Sequence, residues 1–483
     1  ANKEVKDLVV IDCEVLQLNF NKDANKLLMR YKKKISKASK KVQETFTISN
    51  VAKAYYELNS LLNIVRFNHE NGTSSKIPLF KSLSDPCYLL IVFSSLKNKT
   101  GVVGVDDIPI GNVTLAGIIN LAKKVSIKQY KAKPTKRIFI SKANGKMRPL
   151  SISSSEDKIL QFGIKIILEA IWEPKFLETS HGFRKRKSCH TALEQVYYKW
   201  RGVKWFIEAD FIQCFDKIHH SILLSCITKH LDDYWTLQII NRILKARYIH
   251  FGNMANSELS NKVGTPQGSL LSPLFCNILL HDLDTIAKIL CTKNSYGDKR
   301  LKVSEQYTKT RRFVGTPWES YYVGIKQLAP TVSGAKIRGA LRQIRKEDAV
   351  SKNIKYYADD ESFRRLNYVR YADDFAFGYI GHKAEAYRLL CDVANISSTL
   401  LKMELNPEKT GVKHHEKGMI FLGYKIMGNY GLNVKLSKDK KQRIGQVTLK
   451  YGIPLERLFE KFAERGFFMR SAKTKSNRYV GRR

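Results

Sequence analysis

Hydrophobic residues recur along much of the chain at spacings that predict helices. Ile159, Phe162, Ile166 and Ile167 would share one face of a helix over residues 156–172. Similar patterns, with interruptions, predict mainly helical structure in further regions: residues 22–45, 50–125, 217–229, 272–288 and 437–483.

A β-hairpin is predicted over residues 136–152. Residues 136–140 and 148–152 have the composition of short strands. Between them, Asn144 and Gly145 form the dipeptide that most strongly favours a two-residue hairpin turn. The chain is therefore expected to reverse direction here.

Three carboxylates follow or interrupt apolar strands. The predicted strand at 205–207 leads to Asp210, and a strand–turn–strand pattern over 368–377 places Asp373 and Asp374 in its turn. Adjacent carboxylates repel each other beside a core, and a bound divalent cation would offset that cost. Three of them could hold two Mg²⁺ ions about 3.5–4 Å apart, as nucleotidyl transfer requires. The alternative for a lone Asp-Asp pair is an exposed turn.

The chain contains the same four letters twice. Residues 357–360 and 371–374 both read YADD. The first copy is followed by polar and charged residues, whereas the second is followed by an apolar strand. We therefore assign the first copy to a polar connection and the second to the site.

Charge and composition restrict the class of partner. Among 483 residues there are 84 Lys+Arg and 44 Asp+Glu, which gives a net charge of +40. Nucleic acid is the first candidate partner, an anionic membrane surface is the second, and a solvated basic surface is the alternative. The sequence has no apolar run of about 18 residues, so a transmembrane helix is not expected. The 8 cysteines form no CxxC pair, which favours free thiols over a zinc ribbon.

The motifs around these carboxylates, taken in order, resemble those of reverse transcriptases. The polymerase motifs A, B and C are matched by residues 207–218 (IEADFIQCFDKI), 264–274 (GTPQGSLLSPL) and 371–374 (YADD). HGFR at 181–184 and FLGY at 421–424 complete the set.

Two further segments are similar to one branch of these enzymes. They are GVD at 104–106 and RRLNYVR at 364–370, and they resemble the group II intron-encoded reverse transcriptases and maturases. The resemblance covers about residues 95–470.

The resemblance implies an α+β right-hand polymerase with fingers, palm and a partial thumb, in which an antiparallel palm sheet is backed by helices. The implied domains are a basic N-terminal extension at 1–60, the N-terminal and fingers region at 61–200, the palm at 201–430 with a basic insertion at about 285–350, and an incomplete start of the thumb, called domain X, at 431–483. Two explanations of the short thumb stay open: a separate chain supplies its remainder, or the sequence is a piece of a longer protein.

The resemblance also implies roles at the metal and nucleotide sites. Asp210, Asp373 and Asp374 would hold the metals together with the carbonyl of Phe211. Lys409 would protonate the pyrophosphate, and an ordinary surface lysine is the alternative.

Other residues would contact the nucleotide and the primer. Phe215 would press on the sugar and exclude a 2′-hydroxyl, Lys142 and Arg148 would clamp the triphosphate, and Gln267 would lie against the nucleotide. Their alternatives are core packing, an exposed charged hairpin and a polar turn. The primer grip would consist of Phe421, Leu422, Gly423 and Tyr424, and a buried strand is the alternative there.

The sequence supports neither a histidine metal site nor an ATPase. His219-His220 and His414-His415 lack Cys partners or an HExxH frame, so we expect no metal there. No GxxxxGK[ST] loop supports an ATPase.

The expected function is RNA-directed DNA polymerisation, with intron RNA binding that aids splicing and mobility. The expected partners are intron RNA, an RNA template with a DNA primer, and dNTPs, without a membrane. The alternative is an RNA-binding splicing factor whose polymerase is idle. Abundant Lys, Asn, Ile, Tyr and Phe favour an organelle genome, and we expect a mitochondrial location, with a bacterial cytoplasm or a plastid left open.

Overall fold

The computed structural model describes residues 13–73, 77–96, 103–141, 147–250, 263–297, 301–303, 342, 357–359, 362–430, 447–452, 468–470 and 479–481. The predicted turn at 144–145, Lys142 and most of the 285–350 insertion lie outside these ranges.

The N-terminal part of the chain is helical, as predicted. Its elements are α1 Cys13–Ser36, α2 Lys40–Thr45, α3 Ile48–Asn71, α4 Leu79–Leu83, α5 Pro86–Leu96, a 3₁₀ turn Ile110–Asn112 and α6 Leu115–Ser126. The basic helix expected at 22–45 is thus divided between α1 and α2.

The remaining elements alternate between helices and strands. They are β1 Thr135–Ser141, β2 Met147–Ile152, α7 Ser155–Trp172, α8 Cys189–Lys199, β3 Trp205–Ala209, a 3₁₀ turn Cys214–Lys217, α9 His220–Thr228, α10 Tyr234–Leu244, β4 Tyr248–His250, α11 Ser272–Lys293, β5 Leu301–Val303, β6 Tyr357–Asp359, β7 Arg365–Tyr371, β8 Asp374–Ile380, α12 Lys383–Ile396, a π turn Ser397–Leu401, β9 Gly411–His414, β10 Met419–Phe421, β11 Tyr424–Tyr430, β12 Val447–Gly452, β13 Phe468–Arg470 and β14 Tyr479–Gly481.

Helix α5 forms the centre of the helical region. It is apolar on nearly every side and packs against α3, α6 and α7. The hydroxyl of Tyr88 donates to the carbonyl of Gly163 in α7 at 2.8 Å. A Cβ at Gly163 would lie 3.2 Å from the Tyr88 ring, so the glycine permits this close approach.

The predicted hairpin is present as part of a small sheet. Strand β1 pairs antiparallel with β2, from Ser141 opposite Met147 to Lys136 opposite Ile152. Its other edge pairs parallel with β4, which gives the order β2–β1–β4.

A four-stranded antiparallel sheet with the order β7–β8–β3–β9 forms the second sheet. Alternate residues of β3 face opposite sides, as the period of a strand requires. Ile207 lies in the large core shared with the helices, whereas Phe206 lies in a smaller core with Trp200 of α8. The expected antiparallel sheet backed by helices, and with it the α+β class, is confirmed.

Three predicted helices need correction. Residues 214–217 form a 3₁₀ turn, so the helix expected from about Lys217 begins at His220. Helix α11 continues beyond residue 288 to Lys293. In 437–483 the residues that the structure describes lie in strands β12, β13 and β14, so the helix prediction is wrong for them. Strand β12 pairs with β11, and a pairing partner distant in sequence decided this conformation.

Candidate active site

The three predicted carboxylates meet at one end of the four-stranded sheet. Ala209, the last residue of β3, pairs with Phe375 of β8, and Asp210 follows directly. Asp373 lies in the β7–β8 turn and Asp374 is the first residue of β8. Asp210 itself is buried. Neighbouring antiparallel strands therefore bring together residues that are more than 160 positions apart in sequence.

The electrostatics of this sheet end are unfavourable for the ionised carboxylates. Burial, and then the charge of Asp210, raise the pKa of Asp373. Reduced hydration and the carboxylates of Asp373 and Asp210 raise the pKa of Asp374 to about 6, although part of its side chain remains exposed. A cation placed here would stabilise all three charges.

Lys409 supplies one such cation. Its Nζ donates to Oδ2 of Asp210 at 2.6 Å, and this hydrogen bond raises the pKa of Lys409. The backbone places the lysine, because the amide of Asn406 donates to the Asp210 carbonyl at 2.7 Å and Phe211 pairs with Leu405. The structure thus brings this predicted residue to the carboxylates.

A buried arginine that was not predicted from the sequence holds the carboxylate turn. Arg370 is fully buried, and its Nε and Nη2 each donate to the carboxylate of Asp284 on α11 at 2.7 Å. Its Nη1 donates to the carbonyl of Ala372 at 2.8 Å. Ala372 has φ +57°, a conformation that costs about 1–2 kcal/mol for a residue with a Cβ. Arg370 therefore stabilises the strained residue next to Asp373.

The same arginine links the turn to two other segments. Its Nη1 donates to Oδ1 of Asn277 at 2.9 Å and its Nη2 donates to Oγ of Ser180 at 2.7 Å. Asn277 in turn donates to the carbonyl of Gly182 at 2.8 Å. A Cβ at Gly182 would lie 2.3 Å from the amide nitrogen of Ala372, so only glycine fits against the turn. Two features of the sequence could have indicated this role. Arg370 lies inside an apolar strand, and Asp284 lies on the buried face of a helix.

The predicted nucleotide-binding residues Arg148 and Gln267 lie together. Nε of Arg148 donates to Oε1 of Gln267 at 3.3 Å, and Nε2 of Gln267 donates to Asp216 at 2.8 Å. The backbone of the loop before α11 lies against β2, because the Ser151 amide donates to the Gln267 carbonyl at 2.5 Å. Gly268, at φ +110°, permits this contact, since a Cβ there would lie 2.4 Å from the Ser151 carbonyl.

Phe215 is half-buried and packs against the large core, while its carbonyl accepts from the Thr265 amide at 2.7 Å. The sequence left two roles open for Phe215, contact with the sugar and core packing. Core packing thus applies to at least part of its side chain.

The predicted primer grip is a hairpin turn. Phe421 and Tyr424 pair across β10 and β11, and Leu422 and Gly423 between them both have positive φ, as in a type I′ turn. Glu208 of β3 fixes this hairpin, because its carboxylate accepts from the Ile420 amide at 2.9 Å and also contacts Lys413. Phe421 is buried in the smaller core, so the buried-strand alternative holds for that side chain.

The two YADD copies occupy different structures. Tyr357–Asp359 forms β6, which pairs with β5 in a separate two-stranded sheet, and Asp360 lies outside the described residues. The polar connection expected there is therefore a strand over Tyr357–Asp359. The second copy forms the turn and start of the β7–β8 hairpin, as assigned.

One histidine cluster forms close to the sheet. Possible ligand atoms of His414, His415 and Glu416 lie within 4.8 Å of one another. His414 packs edge-on against Trp205 with ring centroids 5.0 Å apart, and its Nδ1 lies 3.4 Å from Glu416. Aromatic packing and this polar contact account for the arrangement, so we assign no metal to it.

The comparison with protein families gives a match over residues 140–316. The matching family is described as "Reverse transcriptase (RNA-dependent DNA polymerase)". The matched range includes Arg148, Asp210 and Gln267. It ends before the second YADD copy.

Relatives of the chain include three intron-associated or mitochondrial proteins. "Group II intron-encoded protein LtrA" of Lactococcus lactis subsp. cremoris is 29% identical over 415 residues, 83% of this chain and 65% of that protein. A protein of COX1/OXI3 intron 2 from Saccharomyces cerevisiae is 29% identical over 374 residues, 77% of this chain and 41% of that protein. The "Uncharacterized mitochondrial protein ymf11" of Marchantia polymorpha is 30% identical over 255 residues, 53% of this chain and 30% of that protein. The chain therefore spans less than two thirds of the length of these relatives.

Proposed function

Because the chain belongs to the group II intron-encoded reverse transcriptase/maturase family, we propose that it is an RNA-directed DNA polymerase. In this proposal it extends a DNA primer on an RNA template by two-metal nucleotidyl transfer. It also binds intron RNA and thereby aids splicing and mobility. The observation that carries the proposal is the convergence of Asp210, Asp373 and Asp374 at one sheet end.

The donor set at this sheet end fits a hard divalent cation. Reverse transcriptases use divalent metal ions, and carboxylate oxygens are the ligands that Mg²⁺ prefers. The raised pKa values of Asp373 and Asp374 indicate that their charges lack compensation. We propose that Asp210, Asp373 and Asp374, with the Phe211 carbonyl, would hold two Mg²⁺ ions. Such ions activate the primer 3′-hydroxyl and stabilise the departing pyrophosphate.

The surrounding residues orient the substrates. Arg148 is a cation on the hairpin that faces the site and suits the triphosphate, together with Lys142. Gln267 is fixed by Asp216 next to Arg148, where it would contact the nucleotide. Phe215 would limit the space at the sugar.

Lys409 would act on the departing pyrophosphate, and the β10–β11 turn would act on the primer end. Lys409 carries the proton that the pyrophosphate needs and lies beside Asp210. The turn at Leu422 and Gly423 would support the primer end, because Glu208 connects it to strand β3, which ends directly before Asp210.

The charge of the whole chain supports the RNA-binding part of the proposal. A net charge of +40 favours phosphate-rich partners such as intron RNA and a primer–template. Among the described helices, none combines the length and hydrophobicity that crossing a bilayer requires. A relative that is named as mitochondrial supports the proposal of a mitochondrial, organelle-encoded protein.

Primer extension and RNA binding, measured in parallel, test the function. The wild-type chain should extend a DNA primer on an RNA template with Mg²⁺ and dNTPs. Asp210→Asn should lose extension and keep affinity for a structured group II intron RNA, whereas the exposed control Asp392→Asn should keep both. If the wild-type chain bound this RNA tightly without extending the primer, an RNA-binding splicing factor with an idle polymerase would replace our proposal.

A further inference from the structure

A buried glutamine of helix α7 contacts two segments that meet at the proposed nucleotide site. Gln161 is 3% exposed, and the next buried side chains along α7 are Ile164, Ile167 and Leu168. Its side-chain amide reaches Ser153, which follows strand β2, and residues 269–270 of the loop that precedes α11. We call this loop, residues 264–271, the Gln267 loop. Because a polar group at such depth must be hydrogen-bonded, its partners show what it holds.

The contacts fix which way the amide group of Gln161 faces. The backbone amide of Leu270 can only donate, so the atom that it meets at 3.3 Å must be the oxygen, Oε1. The hydroxyl of Ser269 donates to the same oxygen at 3.1 Å. Nε2 then donates to Oγ of Ser153 at 3.2 Å. These are three of the four hydrogen bonds that such an amide can make, and all three partners lie outside α7.

Each of the two segments carries a residue of the proposed nucleotide site. Strand β2 carries Arg148 and ends directly before Ser153. The Gln267 loop carries Gln267 two residues before Ser269. Nε of Arg148 donates to Oε1 of Gln267 at 3.3 Å, so the two segments meet at these side chains. Since the amide of Gln161 is bonded to both segments, it fixes one relative to the other.

The first turn of α7 is held independently of the Gln267 loop. Oγ of Ser154, the N-cap residue, accepts from the Asp157 amide at 3.2 Å and donates to the Asp157 carboxylate at 2.8 Å. The same carboxylate accepts from the hydroxyl of Tyr130 at 2.6 Å. Helix α7 therefore serves as the fixed base, and Gln161 positions the loop on it.

We propose that Gln161 is a positioning residue for the incoming nucleotide. Because it is buried, it does not touch the substrate; it holds the Gln267 loop beside the end of β2, so that Gln267 and Arg148 meet a dNTP in one arrangement. The inference rests on the proposed function, since it adds a residue to the nucleotide site. Without the amide, the loop would keep its contact from the Thr265 amide to the Phe215 carbonyl, but its end near α11 would shift. Nucleotide affinity should then fall while primer–template affinity does not.

The KM for the incoming dNTP tests this role. Gln161→Met keeps the length of the side chain and removes all three hydrogen bonds. It should raise this KM about three- to tenfold, the effect of one or two lost hydrogen bonds, and leave kcat and the primer–template Kd within about twofold. The matched control Tyr88→Phe removes another buried hydrogen bond to α7, the one to the Gly163 carbonyl at 2.8 Å, and should keep the wild-type KM. Equal KM values for Gln161→Met and Tyr88→Phe would overturn the proposal.

A double-mutant cycle shows whether Gln161 acts through the loop. Ser269→Ala removes the hydroxyl that donates to Gln161 and should also raise the KM for the dNTP, which keeps the proposal testable if Gln161→Met does not fold. In the combined variant the KM should stay within about twofold of that of Gln161→Met, because both changes break the same connection. A KM that rose by the product of the two single effects would show independent roles and contradict the proposal.

A dideoxy-terminated primer separates this inference from the polymerase proposal. It gives the Kd of the dNTP in a complex that cannot react, measured from the dNTP-dependent survival of the complex on a gel. If the wild-type chain binds the dNTP there but does not extend an ordinary primer, the polymerase proposal is wrong, and the Kd values of Gln161→Met and Tyr88→Phe still decide the role of Gln161. If the wild-type chain extends and Gln161→Met has the wild-type KM and Kd, only this inference is wrong. If the wild-type chain binds no dNTP, both are wrong.

Discussion

Arg370 shows how one buried side chain can fix the geometry of a site without facing it. It donates to Asp284, Asn277, Ser180 and the Ala372 carbonyl, and it is fully buried. A paired buried charge adds little net stability, but removal of one partner leaves the other charge uncompensated. The ion pair therefore matters mainly for the position of the turn before Asp373.

Arg370→Met should reduce the free energy of unfolding by about 3–5 kcal/mol, because it leaves Asp284 charged and unpaired. The double variant Arg370→Met/Asp284→Leu should recover most of this loss and still extend primers poorly, since the Ala372 carbonyl has lost its donor. Urea denaturation and primer extension measure the two effects. Lys40→Met, which removes an exposed ion pair, should cost less than about 1 kcal/mol. A double variant no more stable than the single one would contradict this account.

His230 predicts a specific dependence of stability on pH. Burial, and then the charges of Lys175 and Lys229, lower its pKa from 6.5 to about 4. Between these two values the unfolded chain binds more protons than the folded one, so stability falls as pH is lowered through this window. His230→Phe should lose less thermal stability than the wild type between pH 7 and pH 5. Equal losses in a comparison of Tm values would show that His230 does not titrate in this way.

At the scale of elements, strand pairing converts distant segments into one site. Strand β3 ends directly before Asp210, pairs with β8 beside Asp374, and contacts the β10–β11 hairpin through Glu208. A change in the hairpin should therefore affect the carboxylate site, because the Glu208 side chain connects the hairpin to β3 and its sheet.

Gly423 of this hairpin, with Gly411 of strand β9 as its control, allows the backbone conformation to be tested without steric effects. A Cβ at either position meets nothing within 4 Å, but Gly423 alone of the two has a positive φ, +84°. Gly423→Ala should cost about 1–2 kcal/mol of stability because of the left-handed backbone, and it should weaken primer binding. Gly411→Ala should be neutral or stabilise by up to about 1 kcal/mol. Equal changes in urea midpoint and primer KM for both variants would contradict the predicted role of the turn.

The sequence predicted these elements unevenly, for physical reasons. The β1–β2 hairpin and the strands that end at the carboxylates were predictable because local turn and alternation signals agree. Strand β12 was not, because its conformation depends on pairing with β11. The role of Arg370 also escaped prediction, since Asp284 is far away in sequence and meets it only through packing of α11 on β7.

At the scale of the whole molecule, the family assignment made from ordered motifs is confirmed by the reverse transcriptase match and by the group II intron-encoded relatives. The four-part domain division and the individual site roles stay predictions. The net charge of +40 is the property of the whole chain that bears most directly on RNA.

Affinity for structured RNA should fall steeply with salt, because each phosphate contact releases counterions. With six to ten contacts the loss between 50 and 200 mM salt is about 10³-fold or more. Filter binding over this range measures the loss, with an uncharged osmolyte as the control. An affinity that did not change would refute the electrostatic basis of RNA binding.

The two YADD copies offer the most direct test of the central claim, that the carboxylates at the sheet end are catalytic. Primer extension on an RNA template with Mg²⁺ should be compared for Asp373→Asn and Asp359→Asn. Metal binding contributes several kcal/mol, so Asp373→Asn should lower the rate by at least about 10²-fold. Asp359→Asn, in strand β6, should stay close to the wild-type rate. Equal losses in the two variants, or a larger loss for Asp359→Asn, would contradict the assignment of the site.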